Sequence, residues 1–368
     1  MNMKKKLLNL AVAATLAAPA AAMADAVLYG KLHVSIDYFD INSSSLVNDL
    51  FGDHDQSFWT LNRGKEGRGA SRANRVGVKG SEDLGGGLKA IYQVEFGVSL
   101  ANESDLRIAN GDKGSVSMRN SFVGLAGGWG TFLVGRHDTP MKISTGKLDL
   151  FADTMADYNG TIGFQDIRAD NAIAYISPSF SGFQLAAAIV PGGGATVDGT
   201  FNPNSDSLAE AYSIAAIYKN GPFYGSIAYE SLQEDLLATT SDLIGPPGVV
   251  VAPDDSFDKW RVGLGLLDWN GFTLTGIYEN QDFIYSDDLW QIQAAYAFGN
   301  NSIKGSYGQV NKEDGRIIKR PNSASWTIGF DHNFSKRTKA YILYTSTDRE
   351  NVSVGDWSGF SLGMVHKF

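Results

Sequence analysis

The stretch that decides the fold class is Leu28-Tyr29-Gly30-Lys31-Leu32-His33-Val34-Ser35-Ile36-Asp37-Tyr38. Its even positions carry apolar or small residues, and its odd positions from Lys31 to Asp37 carry polar ones. A period of two is typical of a β-strand with one apolar and one polar face. The alternation continues for roughly a dozen residues, whereas a strand of a globular protein usually has about 5–6. The pattern therefore predicts a long strand with two chemically different faces.

The same alternation returns along the whole chain, in runs that begin at Leu88, Trp260, Trp290, Trp326 and Phe360. Short Gly- and Asn-rich connections typical of hairpin turns separate some of these runs. They lie at 82–87, 127–130, 219–222, 268–271, 299–301 and 333–337. Long polar connections separate the others, at 41–70, 101–115, 140–167, 191–208, 233–257, 280–287, 311–322 and 349–356. Short turns alternating with long loops are typical of an outer-membrane barrel, and strands of ~10 residues fill this length at about 16 strands.

The overall composition is compatible with such a barrel. The chain has 368 residues and no cysteine, and its mean hydropathy of −0.14 is too polar for a protein that crosses a membrane with helices. Alternating apolar and polar residues give a mean near zero, so the same value fits strands with lipid on one face and water on the other. A soluble propeller or two-sheet sandwich remains an alternative, because its strands also alternate. Strands of this length disfavour it.

The first 24 residues are predicted to be a cleaved signal peptide. Three lysines at positions 4–6 precede an apolar run from Leu7 to about Ala18, and Ala22-Met23-Ala24 supplies the small residues of a cleavage site before Asp25. These residues carry no acidic side chain, so their removal lowers the formal charge from −9 to −12.

Several segments of the remaining chain resemble the Gram-negative general porins. They are Leu28 to Leu32, Arg75 to Ala90, Arg119 to Leu125, Trp129-Gly130-Thr131 with Gly135-Arg136, and the aromatic C-terminal strand that ends in Phe368. The resemblance implies an all-β, 16-stranded antiparallel transmembrane β-barrel in the outer membrane, a homotrimer, and a third long loop folded into the lumen. It also implies that Phe368 serves as an assembly signal.

The resemblance further implies that residues 140–167 form a pore constriction, with acids facing basic residues across the lumen. Asp149, Asp153 and Asp157 follow at intervals of four, which predicts one side of a short helix. Arg136 begins the loop, and Lys31, Arg75, Arg119 and Arg168 occupy polar-phase strand positions. An arginine that faces lipid near the midplane costs ~2–4 kcal/mol, so these side chains are expected in the lumen. The alternatives are ordinary surface arginines and a solvated loop face. Lys142 and Lys147 add positive charge to the same loop.

The predicted function is passive diffusion of small hydrophilic solutes and ions through a barrel surrounded by outer-membrane lipid. The charge of −12 predicts a mild preference for cations at low salt. Two alternatives remain: a sugar-selective porin that uses Phe151, Tyr158 and Phe164 for stacking, and an adhesive or structural barrel. The sequence predicts no catalysis, no cofactor, no metal site and no nucleic-acid partner, since its five histidines lack ligand spacing and it has no basic excess.

Overall fold

The computed structural model describes residues 26–42, 56–61, 72–100, 116–192, 207–233, 256–282, 286–312, 322–350 and 356–368. The predicted signal peptide lies outside these residues, as do parts of seven of the eight predicted long loops. Any adhesive role of those loops therefore falls outside the described part of the chain. Within the described part, no helix has the length and apolar character needed to cross a membrane.

The described secondary structure consists of eighteen strand segments and two short helices. The strands are β1 (Val27–Ile41), β2 (Gln56–Leu61), β3 (Arg75–Gly85), β4 (Leu88–Val98), β5 (Val116–Met118), β6 (Ser121–Gly127), β7 (Gly130–Asp138), β8 (Arg168–Ile176), β9 (Phe183–Val190), β10 (Ala211–Asn220), β11 (Phe223–Leu232), β12 (Phe257–Trp269), β13 (Phe272–Asp282), β14 (Ser286–Phe298), β15 (Asn301–Lys312), β16 (Ser323–Asn333), β17 (Thr338–Arg349) and β18 (Trp357–Lys367). The helices are α1 (Pro140–Thr145) and α2 (Tyr158–Thr161).

The strands form one closed antiparallel sheet. Successive strands pair with each other, and β1 pairs with β18 from Lys31 opposite Lys367 to Ile41 opposite Trp357. Both β2 and β3 pair with β1, and both β5 and β6 pair with β4, so each of these two pairs of segments occupies a single strand position. The eighteen segments thus make sixteen positions, which confirms the predicted 16-stranded barrel.

The six predicted short turns join neighbouring strands as expected. Gly86 and Gly87, for example, connect β3 to β4, and both have positive φ, which glycine adopts without steric penalty. The prediction of an uninterrupted loop over 41–70 is wrong at 56–61, where β2 extends the pairing of β1. The sequence Gln56 to Leu61 is too short for its alternation to be distinguished from that of a loop.

The two faces of the sheet differ as the period of two predicts. In β1, Val34 and Ile36 are 41% and 46% exposed, whereas His33 and Asp37 are 1% and 0% exposed. The same contrast holds in β12, where Leu264 is exposed and Arg261 is buried. The sheet therefore has an exposed apolar face and a buried polar face, which we call the apolar face and the polar face.

The C-terminal residue completes the closure of the barrel. The backbone N–H groups of Gly30 and Phe368 each donate to the other residue's carbonyl oxygen, at 3.0 and 3.1 Å. The Phe368 ring also lies where a Cβ on Gly30 would stand. A glycine at position 30 therefore lets the last side chain pack directly onto the first strand.

An arginine on the apolar face should destabilise the barrel according to its depth. In Leu264→Arg the new charge lies mid-strand, so we expect a loss of ~2–4 kcal/mol in the free energy of unfolding. Leu84→Arg, at the β3–β4 turn, should cost only ~0–1 kcal/mol. Equilibrium unfolding in lipid vesicles measures both variants, and equal losses would contradict the assignment of this face to lipid.

Candidate functional site

Residues 139–167, which connect β7 to β8, form the third-loop segment. Its two ends are joined, because the Thr139 N–H donates to the carbonyl oxygen of Ile167 at 3.1 Å. Thr139 also caps α1, which has proline at its first position, a residue whose fixed φ suits a helix start. Met141 of α1 is buried against Ala215 and Ala228 of β10 and β11. The segment therefore leaves the wall of the barrel and turns at once against its polar face.

From α1 the segment runs across the polar face of the later strands. Side chains of the wall donate hydrogen bonds of 2.6–2.8 Å to successive backbone carbonyl groups of the segment. Tyr224 donates to Ser144, Thr275 donates to Leu148, and Lys304 donates to Leu150. The Leu150 N–H donates to Gln293 at 2.7 Å. At the far end, Asp153 forms an ion pair with Lys31 of β1. The outward leg thus spans the wall from β10 to β1.

The return leg includes α2 and ends at Asp166. The guanidinium of Arg261 on β12 donates to Asp166 at 2.7 Å and to Glu279 on β13 at 2.6 Å. The same guanidinium donates to Thr145 at the end of α1, at 2.8 Å. One fully buried arginine therefore connects both legs of the segment to the wall.

Asp149 and Asp157 hold the turns of the segment. Asp149 accepts the N–H groups of Phe151 and Tyr158 and the side-chain amide of Gln293. Asp157 caps α2 by accepting from Asn159, and it also accepts the N–H of Asp153. The predicted helix through the three aspartates is wrong: 149–157 is a series of turns, and Asp153 has a φ of 63°. Spacing by four brings the carboxylates together here through a turn and not through helical stacking.

The other predicted basic residues lie on β3, β7 and β8 or, in the case of Arg119, between β5 and β6. Arg75 and Arg119 both pair with Glu95 of β4. Arg136 pairs with Asp170. Arg168 pairs with Asp138 at 2.9 Å, and Lys142 contacts the same carboxylate at 3.1 Å. All four arginine side chains are partly exposed, between 15% and 30%. Of the predicted acid–base pairs across the site, the described structure brings together Lys31 and Asp153.

Comparison with known proteins identifies the family. A family profile described as "Gram-negative porin" matches residues 10–352. The chain belongs to this family.

Curated relatives of this porin are major outer membrane proteins of Neisseria. The chain is 33% identical to the major outer membrane protein P.IB of Neisseria meningitidis serogroup B over 383 residues, with all of both chains covered. It is 27% identical to the protein of the same name from Neisseria gonorrhoeae, with 92% of each chain covered. This porin is therefore an outer-membrane protein and a member of a family of channels, not of enzymes.

Solved porins share the fold at low identity. An anion-selective porin from Comamonas acidovorans superposes with a TM-score of 0.66 at 22% identity, over 93% of this chain and 99% of that one. Salmonella typhi OmpF in complex with daunomycin superposes with a TM-score of 0.66 at 15% identity, over 93% of this chain and 97% of that one. A trimer form of OmpT from Vibrio cholerae superposes with a TM-score of 0.61 at 13% identity, over 93% of this chain and 99% of that one. At these identities the likeness supports the fold alone.

Several basic residues of the porin wall were not predicted as site residues from the sequence. Lys259, Arg261 and Lys304 are buried and paired with Glu230, Glu279 and Asp331. Arg72 lies against Asp37 at 2.7 Å. Lys259 and Arg261 are at polar-phase positions around Trp260, the same signal that identified Lys31. A search of every strand for polar-phase charges would have found Lys259, Arg261 and Lys304, but not Arg72, which lies before β3.

The aromatic residues proposed for sugar stacking are not available for it. Phe151, Tyr158 and Phe164 are 0–3% exposed. The Lys304 ammonium lies 4.5 Å from the centre of the Phe151 ring, and Tyr158 and Phe164 pack on each other. The described residues also include no group of three His, Asp or Glu side chains arranged to hold a metal ion.

Three acids of the third-loop segment, Asp149, Asp157 and Asp166, have pKa values that are shifted in different directions. Burial raises the pKa of Asp149 to about 6 and raises the pKa of Asp157 well above its usual value, where Asp149 and Asp153 add to the increase. Burial, the largest single cause, would raise the pKa of Asp166, but the charge and hydrogen bond of Arg261 and the hydrogen bond from Tyr158 together outweigh it and lower that pKa. The pKa values of carboxyl groups within one segment are thus shifted in opposite directions.

This contrast predicts opposite effects of pH at two positions. An unfolded aspartate has a pKa of ~3.9, so folded Asp149 binds an extra proton between about pH 4 and pH 6. Stability therefore falls as the pH rises through this window, by up to ~3 kcal/mol at ~1.4 kcal/mol per pKa unit. Asp149→Asn should remove the part of the decline that Asp149 contributes and leave the part contributed by Asp157. Asp166→Asn should instead lose stability at neutral pH and little at acidic pH, since its contribution is present above ~pH 4. Unfolding in micelles across pH tests both variants, and parallel pH profiles for wild type and Asp149→Asn would contradict the assignment.

Proposed function

We propose that this chain is a general diffusion porin in which the third-loop segment lies in the lumen and narrows it. The observation that carries the proposal is the division of the polar face into two parts. The segment covers the wall from β10 through β18 to β1, through the contacts of Met141, Leu150 and Asp153 described above. Within the described part of the chain, the wall from β3 to β8 is not covered in this way, and its arginines are partly exposed. The conducting path runs between this open wall and the segment.

Such a path separates solutes in two ways. Its width excludes solutes that are too large, and its wall charges act on those that enter, as in other channels where charged side chains line a narrow opening. The open wall carries Arg75, Arg119, Arg136 and Arg168. Small hydrophilic solutes and ions are the substrates that this arrangement fits.

The balance of charge at the path favours anions. Basic side chains there are the four arginines and Lys142, and the acids that pair with them are Glu95, Asp138 and Asp170. Asp149 and Asp157 are buried, and Asp153 pairs with Lys31, so these acids add little negative charge to the path. Charges beyond the Debye length of ~10 Å at 0.1 M salt are screened. The local excess of basic groups therefore outweighs the net charge of −12, and we propose a preference for anions where the net charge predicts cations.

We also propose that the porin assembles as a homotrimer. The trimer form of the Vibrio cholerae protein has the same fold, and the trimer was already implied by the resemblance of the sequence. Sixteen strands enclose a lumen that side chains alone cannot fill, so each subunit would carry its own channel.

Planar bilayer recordings test the channel and the trimer together. Purified protein should raise the conductance in discrete steps, and closure at high voltage should occur in three equal substeps. Heat-denatured protein from the same preparation is the control. If the folded protein inserts into vesicles but gives no steps, the porin assignment is rejected; single-step closure rejects the trimer.

Loss of an exposed arginine should shift the ion preference towards cations. Arg136→Gln and Arg168→Gln each remove a positive charge; Asp170 then loses its arginine partner, whereas Asp138 keeps its contact with Lys142. Lys336→Gln, in the short β16–β17 turn, is the charge-matched control. The zero-current potential in a salt gradient should indicate anion preference for wild type and the control, and a smaller preference for both arginine variants. Cation preference in wild type would refute the local-charge argument.

A further inference from the structure

The apolar side chains of the third-loop segment contact the wall at glycines. Leu148 lies at Gly263 and Gly265 of β12, Phe151 at Gly329 of β16, Met155 at Gly359 of β18, and Ile162 at Gly308 of β15. We call Gly263, Gly265, Gly308, Gly329 and Gly359 the wall glycines. Each of the four apolar side chains is at most 3% exposed.

The contacts leave no room for a side chain at the wall. A Cβ on Gly329 would stand 2.9 Å from Cε1 of Phe151, and one on Gly263 would stand 2.6 Å from Cδ1 of Leu148. Carbon atoms in contact normally lie ~3.5–4.0 Å apart. An alanine at either position therefore requires Phe151 or Leu148 to shift, by a change of side-chain conformation or by movement of the segment away from the wall.

Packing between the strands of the barrel accounts for glycine at some of these positions but not at others. At Gly308 and Gly359 a wall carbonyl oxygen also lies within 3 Å of an added Cβ, so strand packing contributes to the need for glycine there. At Gly329 the side chain of Phe151 supplies the one contact below 3 Å, and at Gly263 the atoms below 3 Å are side-chain atoms of Leu148 and Ser226. Glycine weakens a strand interior because it has no side chain to pack. Contact with the third-loop segment gives these two glycines a physical reason.

Polar contacts between the apolar ones fix the segment in the same position. Thr275 and Lys304 bond the carbonyls of Leu148 and Leu150, and Lys304 also lies over the ring of Phe151. These bonds are 2.8 Å long, so they allow little displacement without breaking. Two kinds of contact therefore hold the segment at one distance from the wall: short hydrogen bonds, and apolar side chains that pack directly on the backbone of glycines.

We propose that Gly263 and Gly329 are positioning residues that set how close the third-loop segment lies to the wall, and through this the width of the conducting path. The proposal rests on the proposed function, since it assumes that solutes pass on the other side of the segment. A methyl group behind the segment pushes it towards the open wall and narrows the path.

The test compares Gly329→Ala with alanine at glycines that have free space. Gly276 of β13 has no heavy atom within 4 Å of an added Cβ, and Gly305 of β15 has only the carbonyl oxygen of Thr327, at 3.4 Å. Single-channel conductance and the largest polyethylene glycol that enters the channel are measured for each. Gly329→Ala should show lower conductance and exclude smaller polymers, whereas Gly276→Ala and Gly305→Ala should match wild type.

A second substitution separates the contact from a general effect on the barrel. Phe151→Leu removes the ring atom that meets the new methyl group, so the double variant Gly329→Ala/Phe151→Leu should recover conductance towards the wild-type value. Such a departure from additivity is the expected sign of two residues in contact. Gly263→Ala with Leu148→Val repeats the comparison on β12 and decides the question if Gly329→Ala does not insert.

Wild-type conductance and polymer exclusion in the inserted glycine variants would overturn the inference, and so would a reduction that the second substitution does not relieve. Both results leave the channel assignment intact. Wild-type protein that gives no conductance steps would reject the proposed function instead, so the two failures are distinguishable.

Discussion

The structure depends on the closure of its sheet. In lipid, every backbone N–H and C=O must find a partner within the protein, and an open sheet would leave two edges without one. Pairing of β1 with β18 removes both edges, and the backbone bonds between Gly30 and Phe368 extend this pairing to the last residue. Once the sheet is closed, each strand residue faces either lipid or the interior. The period of two in the sequence follows directly from this constraint.

Closure also determines how charge is distributed inside the barrel. A charged side chain on a spanning strand has only the interior available, so acids and bases accumulate on the polar face and pair there. Behind the third-loop segment the pairs are buried, as with Arg261 and Glu279. On the open wall the arginines keep contact with water, as with Arg75 and Arg136. Where the segment lies therefore decides which charges are buried in ion pairs and which stay in contact with water.

Much of the fold could be predicted from the sequence, because strand alternation and turn chemistry are local signals. The run around Lys31 and the turn at Gly86 needed no information about distant residues. The roles of Asp149 and Asp157 could not be predicted in the same way. Their spacing of four fits a helix, and only the tertiary position of Gln293 and the turn at Asp153 show that they hold loops. Arg261 was missed for a different reason: its phase was visible, but its partner Asp166 is distant in sequence.

The third-loop segment is synthesised before the wall on which it rests. Its contacts at Gly263, Gly329 and Gly359 belong to β12, β16 and β18, which lie in the later part of the chain. Contacts between residues so distant in sequence form late, because loop-closure entropy must first be overcome. The ends of the segment are joined at Thr139 and Ile167, so the segment leaves and rejoins the barrel at one place and does not interrupt the pairing of β7 with β8. The segment can therefore dock only after these strands of the wall are in place.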